Sequence, residues 1–156
     1  MKKLLTFFFL IIVNYLVAQM PIPVAGKIDR IENFKSKFVA ARNIDIWLPE
    51  GYTKNKKYAV LYMQDGQGLY DANTTWNHQS WDIDDAISSL VAAHKIKDVI
   101  VVGIWNIGFE RNSNYFPQKV YNQLAYEDVQ ALVKMLEKQG NSKTITSDNY
   151  LKFLVE

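Results

Sequence analysis

Tyr58-Ala-Val-Leu-Tyr-Met-Gln-Asp-Gly-Gln-Gly-Leu-Tyr70 is the stretch that decides the fold of this chain. From Tyr58 to Met63 it is a continuous apolar run of strand-favouring residues, and such runs are typical of central parallel strands covered on both faces. It then enters a glycine-paired turn, Asp65-Gly-Gln-Gly68, whose residue types favour a sharp change of chain direction. The stretch therefore predicts a buried strand that ends in a tight turn.

A second apolar run and an intervening helix extend this strand into a larger unit. Val99 to Trp105 reads Val-Ile-Val-Val-Gly-Ile-Trp, which predicts another central strand. Between the two runs, apolar residues recur at helical spacing, and acidic residues stand at the front, where they favour the positive end of the helix dipole. The apolar residues are Ile83, Ile87, Leu90 and Val91, and the acidic ones are Asp82, Asp84 and Asp85. Strand, helix and strand in this order predict a right-handed βαβ crossover in an α/β layered domain.

Two strands of a different kind precede these elements. Ile28 to Phe34 and Lys37 to Leu48 alternate apolar with polar residues, as half-buried antiparallel strands do. The apolar positions of the second strand include Phe38, Ile44, Ile46 and Leu48. Both strands are predicted to be edge strands of the sheet.

Two helices are predicted after the second central strand. Leu124 to Lys138 is amphipathic, and Gly140 is placed to cap its C-terminal end. A last helix is predicted with Ser147 or Asp148 as its N-cap, and the chain is expected to end within it. The predicted fold class is α/β, with antiparallel edge strands before a parallel βαβ unit.

Residues 1–19 have the pattern of a secretory signal peptide. Lys2 and Lys3 form a basic start, Leu4 to Val17 is mainly apolar, and Ala18 is a small residue near a cleavage point. The apolar run is shorter than the roughly 20 residues that usually cross a bilayer, and a retained membrane anchor is the alternative. Export to the periplasm or the extracellular space is predicted, with no stable membrane anchor after cleavage and a folded domain over residues 27–156.

Composition limits the kinds of site that the chain can hold. The 156 residues are 49% hydrophobic and contain no Cys, which fits one packed domain without disulfides or thiolate metal sites. The net charge of +2 includes the two leader lysines, so the mature chain is close to neutral, which argues against nucleic-acid binding. Asp71 to Asp82 spaces oxygen side chains as a calcium loop does, but Trp76 stands where that loop needs glycine. Neither a metal nor another cofactor is predicted.

The turn after the first apolar strand is the candidate site for chemistry. Backbone N–H groups at a sharp turn can stabilise a developing oxyanion if the chain approaches the reacting carbonyl closely. Asp65, Gly66 and Gly68 shape such a turn, and the main-chain N–H of Gln67 is the candidate donor. The alternative is an ordinary strand-to-loop turn that needs glycine for its geometry.

Several short motifs occur in a specific order between Arg42 and Pro117. They are Asn43-Ile-Asp-Ile-Trp-Leu-Pro-Glu-Gly-Tyr52, Leu61-Tyr-Met-Gln-Asp-Gly-Gln67, Leu69-Tyr-Asp71, Trp81, Val101-Val-Gly-Ile-Trp-Asn106 and Arg111-Asn-Ser-Asn-Tyr-Phe-Pro117. In this region the chain resembles bacterial esterases of the esterase D and enterochelin-esterase group, which are α/β-hydrolases. Asn114 stands where an acidic residue is usual. If that residue pairs with a pocket arginine in the family, Arg111 lacks this partner here.

The resemblance implies an exported serine carboxylic-ester hydrolase with a Ser-His-Asp triad and a small-molecule ester substrate. In the family the serine lies on an elbow between a strand and a helix, shortly after the helix that begins here near Ser147. No serine of this chain stands in a Gly-x-Ser-x-Gly pattern, so no catalytic residue is assigned. The chain is expected to be the N-terminal part of an α/β-hydrolase, truncated before the elbow and inactive as it stands.

Three residues are candidates for the wall of a substrate pocket, namely Trp105, Arg111 and His78. His78 lies in a polar, aromatic loop near the expected mouth of the site. A pairing of Ser80 with His78 lacks an evident orienting acid, which makes it a poor catalytic dyad. His94 falls near the end of the first helix and is expected to be a surface residue.

Two alternatives to the esterase hypothesis stay open. The first is a non-catalytic secreted module whose tryptophans bind carbohydrate or an aromatic siderophore-like ligand, since flat apolar walls suit such ligands. The tryptophans concerned are Trp76, Trp81 and Trp105. The second is the remnant, or one part, of a longer or split reading frame.

Overall fold

A computed structural model of the protein describes residues 20–156, and the predicted signal peptide at residues 1–19 lies outside them. The strands are β1 (Lys27–Phe34), β2 (Arg42–Leu48), β3 (Ala59–Gln64) and β4 (Val99–Ile104). They form one four-stranded sheet in the spatial order β1-β2-β4-β3.

The pairing of the strands confirms the predicted α/β class. β1 pairs antiparallel with β2, and β2 pairs antiparallel with β4. β3 pairs parallel with β4, with Ala59 opposite Val99 and Gln64 opposite Ile104. The helix α1 (Ile83–Ala92) connects the two parallel strands. Antiparallel strands are therefore followed by a parallel βαβ unit, as the hydrophobic patterns predicted.

Two details of the predicted sheet are wrong. β2 is not an edge strand, because it lies between β1 and β4, and it begins at Arg42 rather than at Lys37. β3 is not central within residues 20–156, since it pairs only with β4 there, and Val60, Leu61 and Tyr62 are exposed. A continuous apolar run shows that a strand can be buried, but its place in the sheet depends on long-range pairing that local sequence does not encode.

Both faces of the sheet carry a hydrophobic core. On one face, α1 packs against a cluster of Trp47, Leu69, Tyr70, Ile87 and Val101. On the other face, the last helix, α5 (Ser147–Leu154), contributes Tyr150 and Phe153 to a cluster that includes Ile104. Because side chains alternate along a strand, neighbouring residues of β2 and β4 belong to different cores.

Three further helices lie between β4 and α5. They are α2 (Arg111–Tyr115), α3 (Gln118–Tyr121) and α4 (Tyr126–Lys138). Gly140 ends α4 as predicted, because its φ is +70° and the following Asn141 N–H donates to the Leu136 carbonyl at 2.9 Å. This is the left-handed glycine cap that the sequence indicated.

The start of α5 differs from the prediction. Thr146 occupies the N-cap position, and Ser147 is the first helical residue. The predicted N-cap, Ser147 or Asp148, is therefore displaced into the helix, and the Ser147 hydroxyl is buried with no hydrogen-bond partner in the described part of the chain. His94 is exposed just after α1, as predicted.

No helix within residues 20–156 combines the length and the apolar character that crossing a membrane requires.

Candidate functional site

The chain reverses sharply where β3 ends. Asp65, directly after the strand, has a φ of 56° and a ψ of 43°, in the left-handed region. Residues Gly66–Gly68 then form one 3₁₀ turn, in which the Gly68 N–H donates to the Asp65 carbonyl at 2.8 Å. Left-handed backbone is unfavourable for most side chains, although Asp and Asn tolerate it best. The change of direction thus occurs at Asp65 and not at either glycine.

The two glycines of the turn have different roles. A Cβ on Gly66 would lie 2.6 Å from the carbonyl carbon and oxygen of Gly103 in β4, so only glycine allows this close approach. A Cβ on Gly68 would have no atom within 4 Å. The expectation that a pair of glycines is needed for the geometry is therefore correct for Gly66 alone.

Gln67 presents an unbonded main-chain donor. No hydrogen-bond partner for its N–H is found among residues 20–156. Its side chain is engaged, because Oε1 accepts from the Asn106 N–H at 3.2 Å just beyond the end of β4. The Gln67 side chain thus binds the residue after β4, while the Gln67 main-chain N–H has no partner in the described residues. A backbone donor for an anion needs this combination of a fixed position and an unpaired N–H.

The Asp65 carboxylate accepts hydrogen bonds from several residues that follow β4. Arg111 donates to it twice, from Nε at 2.9 Å and from Nη2 at 2.7 Å. Asn106 Nδ2 donates at 2.6 Å and the Tyr115 hydroxyl at 3.3 Å. Burial acts to raise the pKa of Asp65, but the hydrogen bonds from Arg111 and Asn106 outweigh it and hold that pKa below its usual value.

Arg111 is oriented by Asp65 and not by residue 114. Asn114 is buried, accepts from Arg42 Nη2 at 3.1 Å and donates from Nδ2 to Thr146 Oγ1 at 3.1 Å. Asn114 is therefore a partner of Arg42, and Arg111 keeps Asp65 as its partner.

Arg42 is a buried cation whose nearest strong acceptor is neutral. Its guanidinium lies 5.2 Å from the ring centroids of Tyr150 and Phe153, and its Nη1 has no partner in the described residues. The carboxylate of Glu110 is 3.9 Å away. Burial lowers the pKa of Arg42, because the charged form is poorly solvated there.

An Asn114→Asp variant is expected to raise the free energy of unfolding by about 1 kcal/mol, because it gives Arg42 a charged acceptor of the same shape. The Thr146 hydroxyl can rotate to donate to the new carboxylate, which replaces the amide bond at the expense of its 2.9 Å hydrogen bond to Ser113 Oγ. Urea unfolding at pH 7 measures the change, with exposed Asn77→Asp as the matched control.

The free energy of unfolding gained by Asn114→Asp should disappear at low pH. A carboxylate beside Arg42 has a folded-state pKa below its unfolded value, so its contribution is present above about pH 4 and lost as the pH falls through the folded pKa. An Asn114→Asp protein that is no more stable than wild type at pH 7 would show that Arg42 needs no carboxylate.

Within the described chain, no hydrogen bond or ring contact joins Trp105 or His78 to the turn. Trp105 Nε1 donates to Asp45 at 2.8 Å, and the Arg30 guanidinium stacks on its ring at 4.5 Å. His78 is exposed, with its N–H donating to the Thr75 carbonyl at 3.3 Å. Of the three predicted pocket residues, the structure brings only Arg111 to the turn. Within residues 20–156, no cluster of metal-ligating side chains is present.

Sequence reasoning missed two members of this site, Asn106 and Tyr115. Asn106 could have been found, because it follows β4 much as Asp65 follows β3, and parallel neighbours end at the same edge of a sheet. No sequence pattern marks Tyr115, because it is the short helix α2 that brings its hydroxyl to the Asp65 carboxylate.

Comparison with known proteins shows the family of the chain. Residues 36–139 match the protein family described as "Putative esterase", and the chain belongs to this family. It is also similar to solved structures of feruloyl esterases. One is a ferulic acid esterase from Anaeromyces mucronatus in complex with ferulic acid, with 18% identity and a TM-score of 0.46, covering 85% of this chain and 40% of that one.

Another is a mutant feruloyl esterase module from Clostridium thermocellum in complex with sinapinate. It has 20% identity and a TM-score of 0.40, and the match covers 83% of this chain and 42% of that one. The chain therefore spans about 40% of the length of the solved structures that it matches.

Proposed function

We propose that this protein provides one half of the oxyanion hole of a carboxylic-ester hydrolase of the esterase D and enterochelin-esterase type. The observation that carries the proposal is the unbonded Gln67 N–H, held beside β4 in a member of an esterase family. The substrate class is a small-molecule ester, and residues 1–19 direct export.

The chemistry explains why a free amide matters. Attack on an ester carbonyl moves a full negative charge onto the oxygen, and a fixed N–H at about 3 Å stabilises that charge without reorganising in the transition state. Gly66 keeps the turn against β4, and Asn106 holds the Gln67 side chain, so the donor is fixed before substrate arrives.

A chimera tests the donor directly. Residues 20–156 are fused to the part of an active family esterase that follows its equivalent of α5. Gln67→Pro removes the N–H, and a Gly68 N–H bond to the Asp65 carbonyl retained in the variant's structure shows that the turn is kept, since proline also restricts the preceding Gly66. We expect kcat to fall about 10²–10³-fold, with KM little changed.

The control for the chimera is Gln67→Ala, which keeps the N–H and removes only the side-chain bond to Asn106. It should lose far less activity than Gln67→Pro, because the N–H itself remains. If Gln67→Pro and Gln67→Ala have the same kcat, the Gln67 amide is not an oxyanion donor.

The 156-residue protein itself is expected to hydrolyse p-nitrophenyl acetate no faster than buffer. It contains no Gly-x-Ser-x-Gly pattern, and the oxyanion donor needs an attacking nucleophile to act on. Release of p-nitrophenol measures the rate. Rapid hydrolysis that a serine-directed phosphonate abolishes would contradict this expectation.

Binding without catalysis is the second candidate function, and the exposed tryptophans favour it. Trp76 is 93% and Trp81 56% exposed, and the Trp81 N–H donates to the Gly68 carbonyl at 2.9 Å, so this loop adjoins the turn. Titration with glycans and catecholates should then quench tryptophan fluorescence saturably in wild type and not in Trp76→Ala. Unchanged fluorescence in wild type would exclude binding by this loop.

A further inference from the structure

Asp65 combines an unfavourable backbone conformation with an unusually complete set of partners. Its left-handed φ of 56° lies in a region that residues with a side chain rarely adopt, although Asp tolerates it better than most. Such a conformation persists only where the surroundings determine it. The determining groups here are Arg111, Asn106 and Tyr115, which all donate to the one carboxylate.

Arg111 has the geometry that fixes a carboxylate in orientation as well as position. Its two donors meet the two oxygens of Asp65 separately, and a planar fork of this kind specifies direction, unlike a single ammonium. The guanidinium also lies 5.1 Å from the ring centroid of Tyr115. Arg111 is 48% exposed and Asp65 only 16%, so the arginine closes the turn from the solvent side.

The residues on either side of Asp65 are held as well. The Tyr150 hydroxyl donates to Gln64 Oε1, and the Tyr115 and Tyr150 rings meet edge-on at 5.4 Å. On the other side, Asn106 holds the Gln67 side chain. Of these contacts, only the two hydrogen bonds from Arg111 engage both carboxylate oxygens of Asp65.

We propose that Arg111 is a positioning residue: its fork locks Asp65 in the left-handed conformation and thereby holds the turn in which the Gln67 N–H has no partner within residues 20–156. The role of that N–H in ester hydrolysis rests on the proposed function, but the locking itself does not. Without the fork, Asp65 relaxes toward extended backbone and the turn samples several conformations.

NMR of the full chain tests the locking. In wild type, the ¹⁵N order parameters of residues 66–68 should equal those of rigid backbone, about 0.85, and in Arg111→Ala and Arg111→Lys they should fall below about 0.6. Amides of β4 should not change. Lys143→Ala is the matched control, since Lys143 forms an exposed ion pair with Glu137 at 2.6 Å.

A titration of wild type gives a second readout that needs no variant. Arg111, Tyr115 and Tyr150 are the ionisable groups that act on Asp65, and none changes charge between pH 2 and 7. The Gln67 amide shift should therefore follow the titration of Asp65, with an inflection below the usual pKa of an aspartate.

A second-site variant separates locking from general stabilisation. Glycine adopts left-handed backbone without strain, so residues 66–68 should stay more ordered in Asp65→Gly than in Asp65→Ala, although both variants lack the carboxylate that Arg111 binds. Unchanged order parameters in Arg111→Ala, or a Gln67 amide that ignores the Asp65 titration, would overturn the proposal. If the locking is observed while Gln67→Pro leaves the kcat of the chimera unaltered, the positioning role stands and the proposed function fails.

Discussion

An Asp45→Ala variant is expected to lose about 3–5 kcal/mol of its free energy of unfolding. Asp45 is fully buried, and its carboxylate accepts from Arg30 Nε at 2.6 Å and Nη2 at 2.8 Å. Trp105 Nε1 donates to it as well, at 2.8 Å. The Arg30 side chain is only 3% exposed. Removing the carboxylate breaks a buried charge pair and leaves the Trp105 Nε1–H without its acceptor, which costs more than the intact pair contributes.

Asp29→Ala is the control for this prediction. Asp29 lies on the same strand as Arg30 and pairs with Lys27 at 3.2 Å, but the two side chains are 58% and 61% exposed. Its loss should stay below about 1 kcal/mol. Urea unfolding followed by circular dichroism compares the variants, and equal losses would mean that burial does not set the contribution of the Arg30–Asp45 pair.

Gly66→Ala is expected to lower the free energy of unfolding by about 1–3 kcal/mol through overpacking. The new Cβ would lie 2.6 Å from the Gly103 carbonyl and 2.9 Å from the Ile104 nitrogen. These atoms belong to the backbone of β4, a central strand, and cannot rotate away as a side chain does. The turn must therefore move off β4, and the Gln67 amide should show a large chemical-shift change in the ¹H–¹⁵N spectrum.

Gly68→Ala provides a control two residues away. Its Cβ would have no atom within 4 Å, and Gly68 is not among the positive-φ residues. Alanine there should leave stability within about 1 kcal/mol of wild type and can raise it, because it reduces the freedom of the unfolded chain. Thermal unfolding measures both variants. A larger loss in Gly68→Ala than in Gly66→Ala would refute the assignment of the close contact to Gly66.

The sequence predicted the βαβ unit because its signals are local. β3 and β4 are continuous apolar runs, and the helical period between them is clear, so their type and order follow from patterns within a few residues. The interior position of β2 could not be predicted in this way. Its alternating pattern indicates a strand with one buried apolar face and one exposed face, and Asp45 lies on the second. Both faces of the sheet are in fact covered, so Asp45 is buried. Its buried carboxylate needs a charged partner, and Arg30 is that partner.

The candidate site was predictable only in part, for a similar reason. The Asp-Gly pair after β3 marked the turn, and Gln67 follows from its place in that turn. The partners of Asp65 lie 41 to 50 residues further along the chain, and no local pattern states that Arg111 meets Asp65 rather than the side chain at position 114. Such pairings depend on the path of the chain after β4.

The hydroxyl of Tyr150 reaches Gln64 across 86 residues, which has a consequence for biosynthesis. When β3 leaves the ribosome, the helix that steadies the residue before Asp65 has not yet been translated, and closing so long a loop is entropically unfavourable. The turn at residues 65–68 therefore reaches its final conformation late, after α5 has emerged and packed against the sheet. A nascent chain stalled before Tyr150 would carry β3 with the conformation of the turn at residues 65–68 not yet fixed.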